Sequence, residues 1–499
     1  MKGVALHAIR PEAIDDLAVG RLPADLVEAL RTAELSRRLI SLRCIQDLAR
    51  RRAPGPWRAA RADLAWELFR AADQADRSAL HDTLRHPPTG ALLGRLLRTL
   101  NRLPDRPADE PPPDLRADLD GLLRLAVAAS LRAGLPVNAE LPARRGTVPL
   151  PTWGVAVLPG PTDRLRVDAG RLRLPGHPGS LGLDAEDHLP EPAHPGFTWS
   201  PVRRIDLGPS RRPDADPDSR DGAHARLSLL IEDGDPDRDV YGFAVTDRLT
   251  RDELASWAYS LGRAWKLLGT HHPARAAVCG ALLHALVPLV QAGPRSSSTA
   301  RELLGAVALS WTDDPLLLAD SLVHEVSHLA LGGLTGLVDL HDPEDEGRYQ
   351  VGWRPDPRPI GAVLQGLYAH VQVVDFWQRQ RGLLPPGEAA RADLAYARLY
   401  PQVIGALRML ADCPALTTTG RRLCAGMADL AAEWPAPAGA IDQGTGRPPA
   451  SRNVSAHPGE SRTSPAKSTQ AAAERVVYSG RNRSWGPSEV RTSPSWESS

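Results

Sequence analysis

The chain has 499 residues, with 60 basic and 60 acidic side chains and 42% apolar residues. At roughly 100–200 residues per domain this is enough for two to four domains with real cores. The balanced charge argues against a general nucleic-acid or polyanion binder. All basic residues but Lys2, Lys266 and Lys467 are arginine. Together with the load of Ala, Leu, Pro and Gly, this reads as GC-rich bacterial codon usage rather than as phosphate binding.

Cys44, Cys279, Cys413 and Cys424 stand apart with no CxxC pair, so neither a disulfide framework nor a cysteine zinc site is expected. The start lacks a basic segment followed by an apolar run, so no secretory signal is expected. The longest apolar stretch, 276–292, contains His284 and Pro288 and falls short of a comfortable membrane span. These features predict a cytoplasmic protein with no membrane partner.

In chain order, residues 1–135 read as a helical N-terminal region. Leu22, Leu26, Val27 and Leu30 recur at helical spacing, as do Leu39, Ile40, Leu42 and Ile45. A further amphipathic stretch, 59–75, is followed by His86-Pro87-Pro88, a helix break. After a loop rich in Pro and Asp, a last helix is expected over 115–133. Residues 136–248 read as a β-rich middle, with short strands over 147–150, 153–158, 165–167, 172–174, 203–207 and 226–231, and a polar loop over 210–221. Residues 249–434 return to helical spacing, predicting helices over 251–268, 275–291, 315–331, 359–380, 388–410 and 419–433. From 435 to 499 the composition collapses into Ser, Pro, Thr, Gly and Arg, which predicts a disordered tail. The class is α+β and mainly α-helical.

One motif carries chemistry: His324-Glu325-Val326-Ser327-His328, an H-E-x-x-H. Asp314 and Pro315 suit a helix start ahead of it. Residues four apart share a helix face, about 5–6 Å apart at Cβ, so two imidazoles there can grip one divalent metal. Glu325 stands beside the pair, able to act on a metal-bound water or to orient a ligand. Gly332-Gly333 reads as the helix end. A third ligand is needed. His370 is the first choice, a lone imidazole on an apolar helix, with Gln365 and His341 as alternatives. Arg354 and Arg358 are candidate carboxylate clamps.

Residues 318–328 (LADSLVHEVSH), 353–359 (WRPDPRP) and 361–370 (GAVLQGLYAH) resemble the HExxH-motif proteins found beside ribosomally made, modified peptides, a domain also fused to some radical-SAM maturases. Residues 26–42 (LVEALRTAELSRRLISL), 84–90 (LRHPPTG) and 132–151 (RAGLPVNAELPARRGTVPLP) extend the likeness. The resemblance implies an Fe(II)- and 2-oxoglutarate-dependent β-hydroxylase acting on residues of a precursor peptide. It implies His324 and His328 as iron ligands and Glu325 as the motif acid. His370 follows as third ligand, although many relatives carry His where this chain has Gln365. Tyr368, Arg354 and Arg358 would be co-substrate contacts, and a radical-SAM maturase of the same cluster a partner. Two other readings use the same residues: a zinc metallopeptidase, and an inactive peptide-binding protein.

Overall fold

The computed structural model describes residues 9–107, 110–160, 164–183, 193–194, 196–208, 226–291 and 296–437, together with two paired dipeptides, Val477–Tyr478 and Arg483–Ser484. The expected loop over 210–221 and nearly all of the expected tail lie outside the described residues. The chain is 57% helix and 15% strand, an α+β fold dominated by helices.

Seven helices come first: α1 (Pro11–Ala18), α2 (Ala24–Arg52), α3 (Pro54–Ala59), α4 (Ala62–Ala75), α5 (Arg77–Arg85), α6 (Pro87–Arg102) and α7 (Pro113–Arg132). The break between α5 and α6 falls at His86, where two following prolines start a new helix. Eight short strands follow: β1 (Asn138–Pro142), β2 (Thr147–Leu150), β3 (Gly154–Val157), β4 (Arg164–Asp168), β5 (Arg171–Arg173), β6 (Leu181–Gly182), β7 (Ala193–His194) and β8 (Phe197–Pro201). They form two four-stranded antiparallel sheets, in the orders β1-β4-β5-β6 and β2-β3-β8-β7.

The remaining strands are β9 (Arg203–Leu207), β10 (Leu227–Ile231), β11 (Ala285–Leu289), β12 (Ser297–Thr299) and β13 (Ala306–Ser310). They build one mixed sheet in the order β12-β13-β11-β10-β9. β10, β11 and β13 run parallel, and the outer strands antiparallel to them. The helices α8 (Arg251–His271) and α9 (Pro273–Leu282) cross from β10 to β11. The last helices are α10 (Pro315–Leu334), α11 (Ile360–Arg381), α12 (Pro386–Ala411) and α13 (Thr418–Ala432).

Three expectations are corrected. The helix predicted over 275–291 is half helix and half strand. Every residue of β11 is buried, as in a parallel strand covered on both faces, and such a run has no amphipathic period to separate it from a buried helix. The Gly332-Gly333 pair does not end α10, which continues to Leu334. A Cβ on Gly333 would sit 3.1 Å from Leu30 of α2, so this glycine serves a close helix crossing. The sheet also draws strands from both sides of the boundary placed at 248.

The hydrophobic interior divides differently from the expected regions. One core runs from Leu35 in α2 to Trp199 in β8. The other joins α1 and the first turns of α2 to one face of the mixed sheet and to α8–α13, as far as Trp434. The 29-residue α2 is shared by both. A third cluster covers the back of the mixed sheet, where Ala285, Val287, Leu289, Ala306 and Ala308 meet Tyr241 and Ala91 of α6. No helix among the described residues is long and apolar enough to cross a membrane.

Candidate metal centre

The chain places the H-E-x-x-H on α10. Asp314 accepts hydrogen bonds from the Leu316 and Leu317 amides at 2.9 and 3.2 Å, and Pro315 fills the first turn. Around the motif the helix is apolar on nearly all sides, so it lies between the sheet, α8 and α11. His324 Nε2 and His328 Nε2 face each other at 3.1 Å. Two nitrogens at about 2.1 Å from one ion are roughly 3.0 Å apart at a right angle and about 3.4 Å apart in a tetrahedron, so the pair is spaced for a shared metal.

His370 comes from α11. Its ring is 5.4 Å from that of His324 and nearly perpendicular to it, against 4.8 Å between the rings of His324 and His328. It therefore borders the pair from one ring further back. His370 Nδ1 donates to the Gly366 carbonyl at 2.7 Å. A carbonyl only accepts, so the proton is on Nδ1 and Nε2 keeps its lone pair. The indole of Trp353 stacks on His370, with centroids 4.5 Å apart and planes 18° apart.

Gln365 is not drawn in as a ligand beside the pair. Its Oε1 faces His328 Nδ1 at 3.4 Å, a long contact that favours the same tautomer on His328 and leaves Nε2 its lone pair. Burial pushes both imidazoles down to about 4, His370 and His328 alike, so both are neutral near pH 7 and able to ligate. Glu325 is 1% exposed, held within the helix packing beside the pair.

Other candidates stand elsewhere. His341 packs under the start of α11, where a Cβ on Gly361 would come within 2.7 Å of its Nε2, and its Nδ1 meets the Asp342 carbonyl at 2.9 Å. Tyr368 lies on the other side of α11 from His370. It is fully buried, and its hydroxyl donates to the Leu17 carbonyl of α1 at 3.1 Å, so the structure gives it an architectural place rather than one at the histidine pair. Arg354 and Arg358 converge on Asp356 at 3.4 and 2.9 Å, in the loop that also carries Trp353. That loop is one residue from the wall of the site.

Trp353 and Gly366 were given no role in the sequence reading, although both lie in stretches that drew attention. A Cβ on Gly366 would sit 2.8 Å from Trp353 Nε1, so only glycine lets the indole lie on α11 and reach His370. The available signal was a glycine one helical turn before the lone histidine.

Among the described residues, one trio brings its ligand atoms within 4.8 Å of one another, and it is a different one: His86, Glu232 and Asp235, all buried. His86 was read from the sequence as a helix break, which it is. The chain matches no protein-family model and no curated relative.

Proposed function

We propose that the chain is a metal-dependent oxygenase that hydroxylates β-carbons of residues in a ribosomally made precursor peptide, using Fe(II) and 2-oxoglutarate. The observation that carries this reading is the pair of imidazoles 3.1 Å apart, His324 partly buried and His328 buried and held neutral, with a third imidazole beside them in the ligand tautomer. His324 and His328 would hold the ion, and His370, whose ring borders theirs, would close in on it as third ligand when metal binds. Iron held there would supply the oxidising chemistry, while the protein would supply ligands and orientation. The Arg354–Asp356–Arg358 cluster offers guanidinium groups for a dicarboxylate, with Asp356 as the carboxylate it would displace.

In this reading an extended substrate adds to β12, an edge strand of the mixed sheet that lies against α10, the helix carrying the histidine pair. Cytoplasmic placement and a radical-SAM maturase as partner belong to this reading as well.

A zinc peptidase reading rests on Glu325, the motif acid next to His324, which would serve as general base for a metal-bound water. The two separate cleanly. The protein is prepared without oxygen, loaded with Fe(II), and given 2-oxoglutarate and a candidate precursor peptide. Succinate release and a gain of about 16 Da, lost in His324→Ala, support the oxygenase. Zinc-dependent cleavage without oxygen supports the peptidase. Tight peptide binding with neither product leaves a binding protein.

A further inference from the structure

His86, Glu232 and Asp235 are brought together from distant parts of the chain. His86 occupies the break between α5 and α6. Glu232 directly follows β10, and Asp235 caps the next turn by accepting from the Asp237 amide at 2.8 Å. The three side chains therefore meet where the first core docks on the mixed sheet. They are 3, 2 and 7% exposed.

The contacts inside the cluster are incomplete. His86 Nε2 and Glu232 Oε1 are 3.1 Å apart. Yet Glu232 Oε1 has no hydrogen-bond partner, and neither has His86 Nδ1. The separation is short without hydrogen-bond geometry. It equals the spacing of two adjacent ligands each about 2.1–2.2 Å from one cation. The Tyr241 hydroxyl is also buried and unpartnered, and the charges of Glu232 and Glu325 both bear on it. Buried polar atoms left open in this way call for an ion or a water.

The surrounding charges have been matched elsewhere. Arg95 and Arg144 both bridge Asp118 and Asp237, at 2.8–3.4 Å. Arg124 is tied to the Pro142 and Ala117 carbonyls. Arg38 spends one amino group on the Leu84 and His86 carbonyls, which fixes the His86 backbone, and pairs with Glu34. Among the described residues no arginine forms an ion pair with Glu232 or Asp235; Arg124 acts on Asp235 only through its charge, and Arg238 donates to the Asp235 backbone carbonyl. Burial raises Asp235 to about 7, with Asp237 and Glu232 adding to the effect, as expected for carboxylates gathered without a counter-ion.

We propose that His86, Glu232 and Asp235 form a second metal site, for a divalent transition cation, that clamps the helical first core to the mixed sheet. One imidazole with two carboxylates suits Zn²⁺ or Mn²⁺ better than Mg²⁺ or Ca²⁺, which favour all-oxygen shells. The cluster shares no residue with the histidine pair on α10 and does not depend on the oxygenase reading.

The test uses the full chain stripped with a chelator and dialysed against Zn²⁺ or Mn²⁺, with bound metal counted by elemental analysis. The parent background is His324→Ala/His328→Ala, which removes the α10 pair. That variant is expected to retain one equivalent of metal and to gain thermal stability from it. Adding Glu232→Gln, or in a separate chain Asp235→Asn, is expected to weaken binding at least about tenfold and abolish the stabilisation. Absence of stoichiometric metal in the parent variant overturns the proposal without any change to the cluster. Equal binding in a folded Glu232→Gln or Asp235→Asn chain overturns it too.

Discussion

Replacing Gly366 with alanine sets two effects of opposite sign against each other. In a helix interior alanine is favoured over glycine by up to about 1 kcal/mol. The new Cβ, however, would lie 2.8 Å from Trp353 Nε1 and 3.3 Å from its Cε2 and Cζ2. Ordinary carbon contacts begin near 3.5 Å, so the indole must retreat by roughly 0.7 Å. It cannot do so without sliding on the His370 ring, against which it is stacked at 4.5 Å. Overpacking of this kind costs about 1–3 kcal/mol, so the net effect is a loss of up to about 2 kcal/mol. The larger consequence falls on the metal. Loosening a ligand's support lowers affinity about 10–100-fold, or about 1.4–2.7 kcal/mol. Urea unfolding and equilibrium dialysis of Fe(II) or Zn²⁺ against the same Gly366→Ala preparation measure the two effects. A variant that is more stable than the parent by about 1 kcal/mol and binds metal equally well would refute the reasoning, because it would mean that the glycine does not seat Trp353.

Three further outcomes are expected. Gln365→Ala removes the acceptor facing His328 Nδ1 and should weaken metal binding about 10–100-fold, whereas Gln365→Glu should retain it, as read by metal titration. His328 and His370 are held at about 4 in the folded chain, against 6.5 for an ordinary histidine, so the unfolded state takes up protons first as pH falls. The metal-free protein should therefore lose stability steadily from pH 6.5 down to 4, seen as falling urea midpoints, and a flat profile across that window would contradict the assigned burial. Arg38→Ala removes one of the two arginines paired with Glu34, leaving Arg37, and frees two carbonyls at the α5–α6 break, for a loss of about 2–4 kcal/mol in thermal or urea unfolding.

The helices around the centre could be read from the sequence because each carries a local mark. Asp314-Pro315 starts α10, the four-residue spacing of His324 and His328 fixes their common face, and a histidine in an apolar helix singles out His370. β11 could not be read this way. With both faces covered it shows an unbroken apolar run, and only its partners β10 and β13 make it a strand. Gly333 misled for a related reason: a glycine that admits a neighbouring helix looks the same in sequence as one that ends its own. The roles of Gln365 and Tyr368 depend on which way each faces around α11, toward His328 or toward α1, and that is decided by elements hundreds of residues away. Asp356, between the two arginines in sequence, pairs with both of them, so an incoming carboxylate has to displace it. The His86 cluster had no local mark, since its members are joined only by the docking of the two cores.

The pairing of α1 with α13 has a consequence for how the protein is made. Arg422 reaches back to Asp15, and the Leu17 and Ala18 carbonyls are taken by Tyr368 and Gln372. On a ribosome the stretch from Leu35 to Trp199 can collapse as soon as it emerges. The opening helix must instead wait for a partner 407 residues downstream. At about 5–20 residues per second the delay is roughly 20–80 s. For that time its apolar face lacks its partners in α11 and α13.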